Sequence, residues 1–448
     1  MKKQKEKNVK SEEKKVKRPS KTLDDFKYDM AERVKTRLNI ISGKYECRWL
    51  ERMDGDMPEG FGEHGEFGKE WHELTDREEN ALWRLVCPKR EARLQDVMNI
   101  LRSDFTPLYN PILEYLAYAF STYNLEDDAI GELTRHVHVI TTDADPDTDK
   151  DRYERLCREE QRRFNEYFKK WFVGMIAGAT SQHVVNNVVL VLIGEQGTYK
   201  STFFAQLLPP KLRQYFHVKT DNTVLNKDDR LQLARNLLIC LEEIDVLSKK
   251  ELNQLKAMVT LPSINDRPAY ARNFVNLPHI ASLCGTGNNE TFLSDPTGSR
   301  RWLPFLVESI DDPRSYEINY ESLYGQGMYL LADKFRYWFT QEEIKRQNSR
   351  NKAFEADCLE EQLIMKYYRI PTLAETGVLV TAGDILEKIN KGIKKPLSTS
   401  SIGGMMKKLG FQKQTIHGYR KYRVIEMKDA DIEKLREQEA TENDERLF

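Results

Sequence analysis

Short runs of branched aliphatic residues punctuate the middle of this 448-residue chain: VVLVLI at 188–193, LLICL at 237–241 and IASLCG at 280–285. Each is bounded by polar or turn residues and is apolar at successive positions. Strands apolar on both faces belong inside a sheet covered by helices, so residues 183–345 predict an α/β core. Upstream, residues 37–50 (RLNIISGKYECRWL) predict two short strands about a Ser-Gly turn. Thr75-Asp76 opens a helical stretch that Pro88 stops, and residues 90–102 follow with apolar spacing of about 3.6 residues. SDFTPLYNPILEYL (103–116) reads as two prolines bracketing an aromatic loop. Residues 23–123 thus form a small mixed domain and 124–182 a helical linker region, with one long helix over 152–179. Past residue 345 three helical stretches precede two short strands about His417-Gly418, the order of a winged helix, over 346–428.

Composition changes this picture at the ends. Residues 1–22 hold ten Lys or Arg and three Glu with almost nothing apolar, which predicts a mobile basic tail. Residues 381–426 carry ten basic residues against three acids, a positive patch on a chain of net charge −1; residues 429–448 form an acidic tail. Six scattered cysteines without a C-x-x-C pair argue against a disulfide scaffold or zinc ribbon and point to a reducing compartment. No apolar run approaches the roughly 20 residues that span a bilayer, and no apolar stretch follows the charged N-terminus. A soluble, cytoplasmic protein without a membrane partner is expected. The aspartates of 143–151 lack the glycine and final glutamate of an EF-hand, and His136 and His138 have no carboxylate or cysteine at ligand spacing, so neither predicts a metal.

The candidate chemistry follows the first apolar run. Gly194, Glu195, Gln196, Gly197, Thr198, Tyr199, Lys200, Ser201 and Thr202 lie between a strand and a helix stopped by Pro209-Pro210, the context of a phosphate-binding loop. In such a loop Lys200 reaches the β/γ-phosphates of ATP and the Ser201 hydroxyl completes a Mg²⁺ shell. Tyr199 stands where a second glycine usually precedes the lysine. Glu242, Glu243 and then Asp245 end the second run, placed either to serve the metal and attacking water on the strand beside the loop or to open the following helix. Strand alternation allows only one of Glu242 and Glu243 to face the nucleotide. Asn288, past the third run, is a candidate γ-phosphate sensor. Arg300 and Arg301 are either a solvated pair or an arginine finger for a neighbouring subunit.

The runs GEQGTYKST, LLICLEEID and CGTGNNETFLSDPTGSRRWLPF resemble the virulence-associated E family, ATPases of plasmids, phages and genomic islands related to superfamily 3 helicases. The resemblance implies a P-loop, AAA+-like α/β core with Lys200 and Ser201 on nucleotide and Mg²⁺, Glu243 as catalytic acid and metal group with Glu242 beside it, Asn288 as sensor, and Arg300/Arg301 acting in trans. It also implies a DNA-gripping hairpin over 265–276, with Arg267, Tyr270 and Arg272 on backbone and bases, although a purely structural loop fits as well. Lys407, Lys408, Arg420 and Lys421 of the C-terminal domain are the candidate duplex-DNA contacts. The function expected is an ATP-dependent DNA helicase replicating a mobile element as a homo-oligomeric, hexameric ring on single-stranded and duplex DNA, with any primase on another chain. A nucleotide-switched DNA-binding initiator and an ATPase regulating protein partners are the alternatives.

Overall fold

The structure, a computed structural model, describes residues 22–50, 70–87, 92–219 apart from 142 and 145, 227–266, 275–293, 299–355, 359–390 apart from 373 and 374, and 397–427 apart from 417. Its N-terminal unit opens with α1 (Leu23–Arg33), capped by Thr22, whose hydroxyl accepts from Asp25 N while the Asp25 carboxylate accepts from Thr22 N. A hairpin follows, β1 (Val34–Asn39) and β2 (Lys44–Trp49), turning at Gly43 with φ +72°. Then come β3 (His72–Glu73), α2 (Asp76–Val86), α3 (Leu94–Leu101) and β4 (Leu108–Tyr109). The sheet order is β3-β2-β1-β4, and Met30, Leu82, Val97 and Leu101 fill its core.

Residues 103–116 are not the aromatic loop the prolines predict. Leu108 and Tyr109 pair parallel to β1, and Asn110 caps α4 (Pro111–Thr122) with Pro111 in its first turn, where a missing N–H costs nothing. Ile112, Tyr115, Leu116 and Ala119 of α4 are buried in the core of the large domain rather than that of the N-terminal unit. The stretch expected as a linker is likewise structural. It contributes α5 (Ala129–Thr134), β5 (Val137–Ile140), an edge strand of the large sheet, and α6 (Lys150–Thr180), capped by Asp149. His136 and His138 do meet a carboxylate, Asp311, at 2.8 and 3.0 Å, brought from 173 or more residues away.

The large domain continues with β6 (Val189–Ile193), α7 (Lys200–Gln206), β7 (Phe216–Lys219), α8 (Lys227–Arg235), β8 (Leu238–Leu241), α9 (Lys249–Val259), β9 (Ser263–Asp266), β10 (Val275–Pro278), β11 (Ser282–Gly287), β12 (Trp302–Ile310), α10 (Tyr320–Ala332) and α11 (Gln341–Arg350). Its six-stranded sheet has the order β5-β12-β6-β11-β8-β7, with only β5 antiparallel to its neighbour. Every residue of β6 is buried, and its period of two divides it between two cores. Leu190 and Leu192 pack with Trp171 of α6 and Phe203 of α7, whereas Val189, Val191 and Ile193 pack with Leu252 and Leu255 of α9. Covering both faces removes the sheet from water, which is why its strands are continuously apolar.

The C-terminal unit comprises α12 (Leu359–Tyr367), β13 (Tyr368–Arg369), β14 (Val378–Thr381), α13 (Ala382–Ile389), α14 (Thr399–Lys408, capped by Ser398), β15 (Lys413–Ile416) and β16 (Tyr419–Glu426). β16 pairs antiparallel with β13, β14 and β15, so two strands join the pair that the sequence signals. Ile364, Ile385, Ile402, Met406 and Val424 form its core. No described helix is long and apolar enough to cross a membrane.

Candidate functional site

The loop after β6 is shaped by two glycines and one exception. A Cβ on Gly194 would lie 2.4 Å from the Val307 carbonyl oxygen of β12, so only glycine lets the chain leave the sheet there. Gly197 has φ +89°, and Tyr199 adopts the left-handed region at φ +59°. That conformation costs an aromatic residue about 1–2 kcal/mol and a glycine nothing, the physical content of the departure at this position. The Tyr199 ring is partly exposed.

Lys200 opens α7 and is buried. Its ammonium donates to the carbonyl oxygens of Gly194 at 2.8 Å and Glu195 at 2.6 Å, and to Thr198 Oγ1 at 3.1 Å; Thr198 in turn donates to the Glu195 carbonyl at 2.9 Å. Three protons meet three acceptors, and the loop is tied into a ring around its own lysine. Burial pushes the Lys200 ammonium below its ordinary range, and the Asp245 carboxylate opposes that shift. Ser201 and Thr202 follow in the first turn of α7, whose amides have no intrahelical carbonyl to bond.

The acids do not stand on the strand beside the loop. β11 runs between β6 and β8, so Glu242 and Glu243 end a strand two places away, roughly 10 Å across the sheet. Gly194 N donates to Gly287 O at 3.2 Å, joining the loop to the end of β11 instead. Glu242 is half-buried in the turn after β8. Glu243 has φ +51°, and its side chain is exposed. Asp245 follows in the 3₁₀ turn after them. Its Oδ2 accepts from Asn289 N at 3.0 Å, while Oδ1 is buried without a hydrogen-bond partner among the described residues. A Cβ on Gly287 would sit 3.1 Å from that Oδ1, so the glycine leaves the space the carboxylate occupies across β11. The acid in electrostatic contact with Lys200 is therefore Asp245. Only its place after two glutamates and the glycine 42 residues downstream signalled it in the sequence. Asn288 is exposed, one residue past Gly287, which pairs in register with Ile193 at the start of the loop.

Arg300 and Arg301 lie in a 3₁₀ turn leading into β12. Trp302 pairs with Val189 and Leu306 with Ile193, so the arginines sit at the opposite end of the sheet from the loop, roughly 13 Å along the strand. The turn is clamped by its backbone. Gln347 Nε2 donates to the carbonyls of Arg300 and Trp302 at 2.9 and 2.8 Å, and Asn351 Nδ2 to those of Ser299 and Trp302 at 2.8 and 3.0 Å. Neither guanidinium has an acidic partner among the described residues. Burial, and then the charge of Arg300, lowers Arg301 from its usual value.

The stem of the hairpin is present, with Ser263–Asp266 antiparallel to Val275–Pro278, but Arg267, Tyr270 and Arg272 fall outside the described residues. In the C-terminal unit Lys407 and Arg420 are exposed, and Lys421 is half-buried on β16. Lys408 differs from these three: it pairs with Glu355 at 2.9 Å and Glu361 at 3.2 Å, so its charge is already matched inside the chain.

The family model for the virulence-associated protein E-like domain matches residues 146–356. No curated protein matches the chain. Among solved structures, the apo structure of the NrS-1 C-terminal region aligns over 90% of this chain and 99% of that chain, with 11% identity and a TM-score of 0.41. Its A-form apo structure aligns over the same shares with 10% identity and a TM-score of 0.42.

Proposed function

We propose, from the premise that residues 146–356 form a virulence-associated protein E-like domain, that this protein is a DNA-dependent ATPase driving helicase action in the replication of a mobile element. The observation that carries the reading is the Lys200 ammonium ringed by its own loop, within electrostatic reach of Asp245, whose buried Oδ1 has no hydrogen-bond partner among the described residues. A cation with exchangeable donors beside an unsatisfied acceptor suits a triphosphate with its divalent ion.

In this reading the amides of 195–201 cradle the phosphates. Lys200 keeps its two carbonyl bonds and exchanges the Thr198 hydroxyl for a phosphate oxygen. Ser201 and the acids of the 242–245 turn are the groups for Mg²⁺, and the orphaned Asp245 Oδ1 fits a ligand or a bound water. Mg²⁺ bound there with ATP would supply positive charge to offset that on the phosphates. Glu243 or Asp245 takes the proton of the attacking water, and Asn288 orients it. Arg300 and Arg301 are too far along the sheet to serve their own loop, so they act on a neighbour's γ-phosphate in a closed ring. Duplex DNA meets Lys407, Arg420 and Lys421, and single-stranded DNA meets Arg267, Tyr270 and Arg272 of the hairpin. The strained Tyr199 favours a second reading, a nucleotide-switched initiator that binds ATP and DNA without unwinding.

ATP hydrolysis measured with and without single-stranded DNA tests the assignment, alongside strand displacement. Wild type should be stimulated by DNA, and Lys200→Ala should lose turnover by at least roughly 10²-fold while keeping salt-sensitive DNA binding. Full turnover in that variant sinks the nucleotide site. Turnover without displacement selects the initiator.

A further inference from the structure

The N-terminal unit brings together three side chains that the sequence holds 25 and 6 residues apart. Cys47 is on β2, His72 on β3 and Glu78 on α2, and their ligand atoms lie within 4.8 Å of one another. Cys47 Sγ is 3.5 Å from His72 Nε2 and 3.8 Å from Glu78 Oε1, and the nitrogen and that oxygen are 2.5 Å apart. We propose that Cys47, His72 and Glu78 form a zinc-binding site.

Three features carry this. The first is spacing: a tetrahedral zinc, with bonds of about 2.3 Å to sulfur and about 2.0 Å to nitrogen and oxygen, sets S···N and S···O roughly 3.5 Å apart and N···O roughly 3.3 Å. The Sγ–Nε2 distance of 3.5 Å already matches, and the Sγ–Oε1 distance of 3.8 Å is close to it. Only the His72–Glu78 hydrogen bond must open, by somewhat under 1 Å.

The second is the surrounding shell. His72 Nδ1 lies 2.8 Å from the Glu70 carbonyl oxygen, an acceptor that keeps the proton on Nδ1 and turns the Nε2 lone pair inward, as metal-bound histidines require. Glu78 is oriented by Trp49 Nε1, donating to Oε1 at 3.0 Å, and by the Thr75 amide and hydroxyl, donating to Oε2 at 3.0 and 2.9 Å. Both ligands are thus aimed by groups that are not themselves ligands.

The third is ligand type and access. A thiol with an imidazole and a carboxylate selects zinc over the hard cations of a nucleotide site. Cys47 and Glu78 are buried, whereas His72 lines a cleft of about 1000 Å³, which leaves a fourth position for water. Binding replaces the Cys47 S–H proton and any proton on His72 Nε2, both passing to solvent.

The consequence is mechanical. β3 is two residues long and pairs with β2 at Glu46–Glu73 and Cys47–His72, with Lys44 of β2 in an ion pair with Glu73. Zinc would pin it to β2 and α2 and hold the neighbouring Trp71 ring against Arg37, 4.2 Å from its centroid, and Arg48, 5.5 Å away, at the mouth of the cleft.

The test uses the full chain, stripped with a chelator and titrated with zinc alone, then with Co²⁺ as a spectroscopic stand-in. About one zinc per chain should remain after gel filtration, and cobalt should give a thiolate-to-metal charge-transfer band. Cys47→Ser should abolish the band. His72→Gln, at a half-exposed position and keeping a donor for Glu78, should weaken zinc binding at least roughly tenfold while melting like the chelated wild type. Wild type that retains no zinc overturns the proposal and leaves a hydrogen-bonded cluster. A band that survives in Cys47→Ser overturns it equally, by placing the metal elsewhere.

Discussion

A buried carboxylate oxygen without a donor costs on the order of 1–3 kcal/mol, and Asp245 Oδ1 has none among the described residues, within electrostatic reach of a lysine with all three protons engaged. Two of the three described non-glycine residues with positive φ, Tyr199 and Glu243, flank the same place. Strain at the ends of β6 and β8 is tolerated because the buried sheet beneath holds both turns. Asp245→Asn keeps the acceptor for Asn289 N and removes only the charge. If Asp245 serves the water or the metal, ATP turnover should fall by roughly 10²–10⁴-fold in steady-state assays with folding unchanged. Turnover lost in Glu243→Gln and kept in Asp245→Asn would return the role to the glutamate that the family resemblance implies.

At the level of elements, α11 connects α6 to the arginine turn. Lys170 of α6 bonds Glu343 at 2.7 Å and Arg336 bonds it twice, at 2.7 and 2.9 Å; Gln347 and Asn351 then hold the carbonyls of 299–302. Burial by itself would raise the Glu343 carboxyl, but hydrogen bonds from Arg336 and Lys170 outweigh it and hold it down at about 2. A folded-state value below the ordinary 4.5 means this stabilisation is complete above about pH 4.5 and is lost as pH falls through about 2. Melts across pH 2–5 should therefore show wild type losing stability steeply and Glu343→Gln, already weaker at pH 7, losing less over the same interval. Parallel curves would exclude Glu343 as the source.

For the molecule as a whole, the decisive feature is that the loop and the arginine pair occupy opposite ends of one sheet. On the proposed reading, one subunit cannot bring both to the same nucleotide. Lys200→Ala and the double variant Arg300→Ala/Arg301→Ala should each be inactive alone. Mixed one to one with free exchange, they should recover roughly a quarter of wild-type turnover, because a quarter of the interfaces join an intact loop to intact arginines. No recovery despite proven exchange would remove the shared site and with it the need for a ring.

Much of this is legible in the sequence. The hairpin at 34–49, the helix opened by Thr75, the three buried strands and the loop from Gly194 to Ser201 all lie where period, caps and turn residues put them. These are local signals, set by sterics and hydrogen bonds within a few residues. Strand order is different in kind, because fully apolar strands pair equally well with any partner of the same type. Nothing local says that β11 enters between β6 and β8, that β5 closes the sheet edge, or that α4 joins the larger core. Those placements decide the chemistry: they carry Asp245 across Gly287 to Lys200, turn Arg300 and Arg301 away from their own loop, and gather Cys47, His72 and Glu78 from three elements. The sequence alone determined which groups the protein possesses and the elements that bear them; long-range burial, which favours whichever arrangement covers both faces of the sheet, decided which of those groups meet.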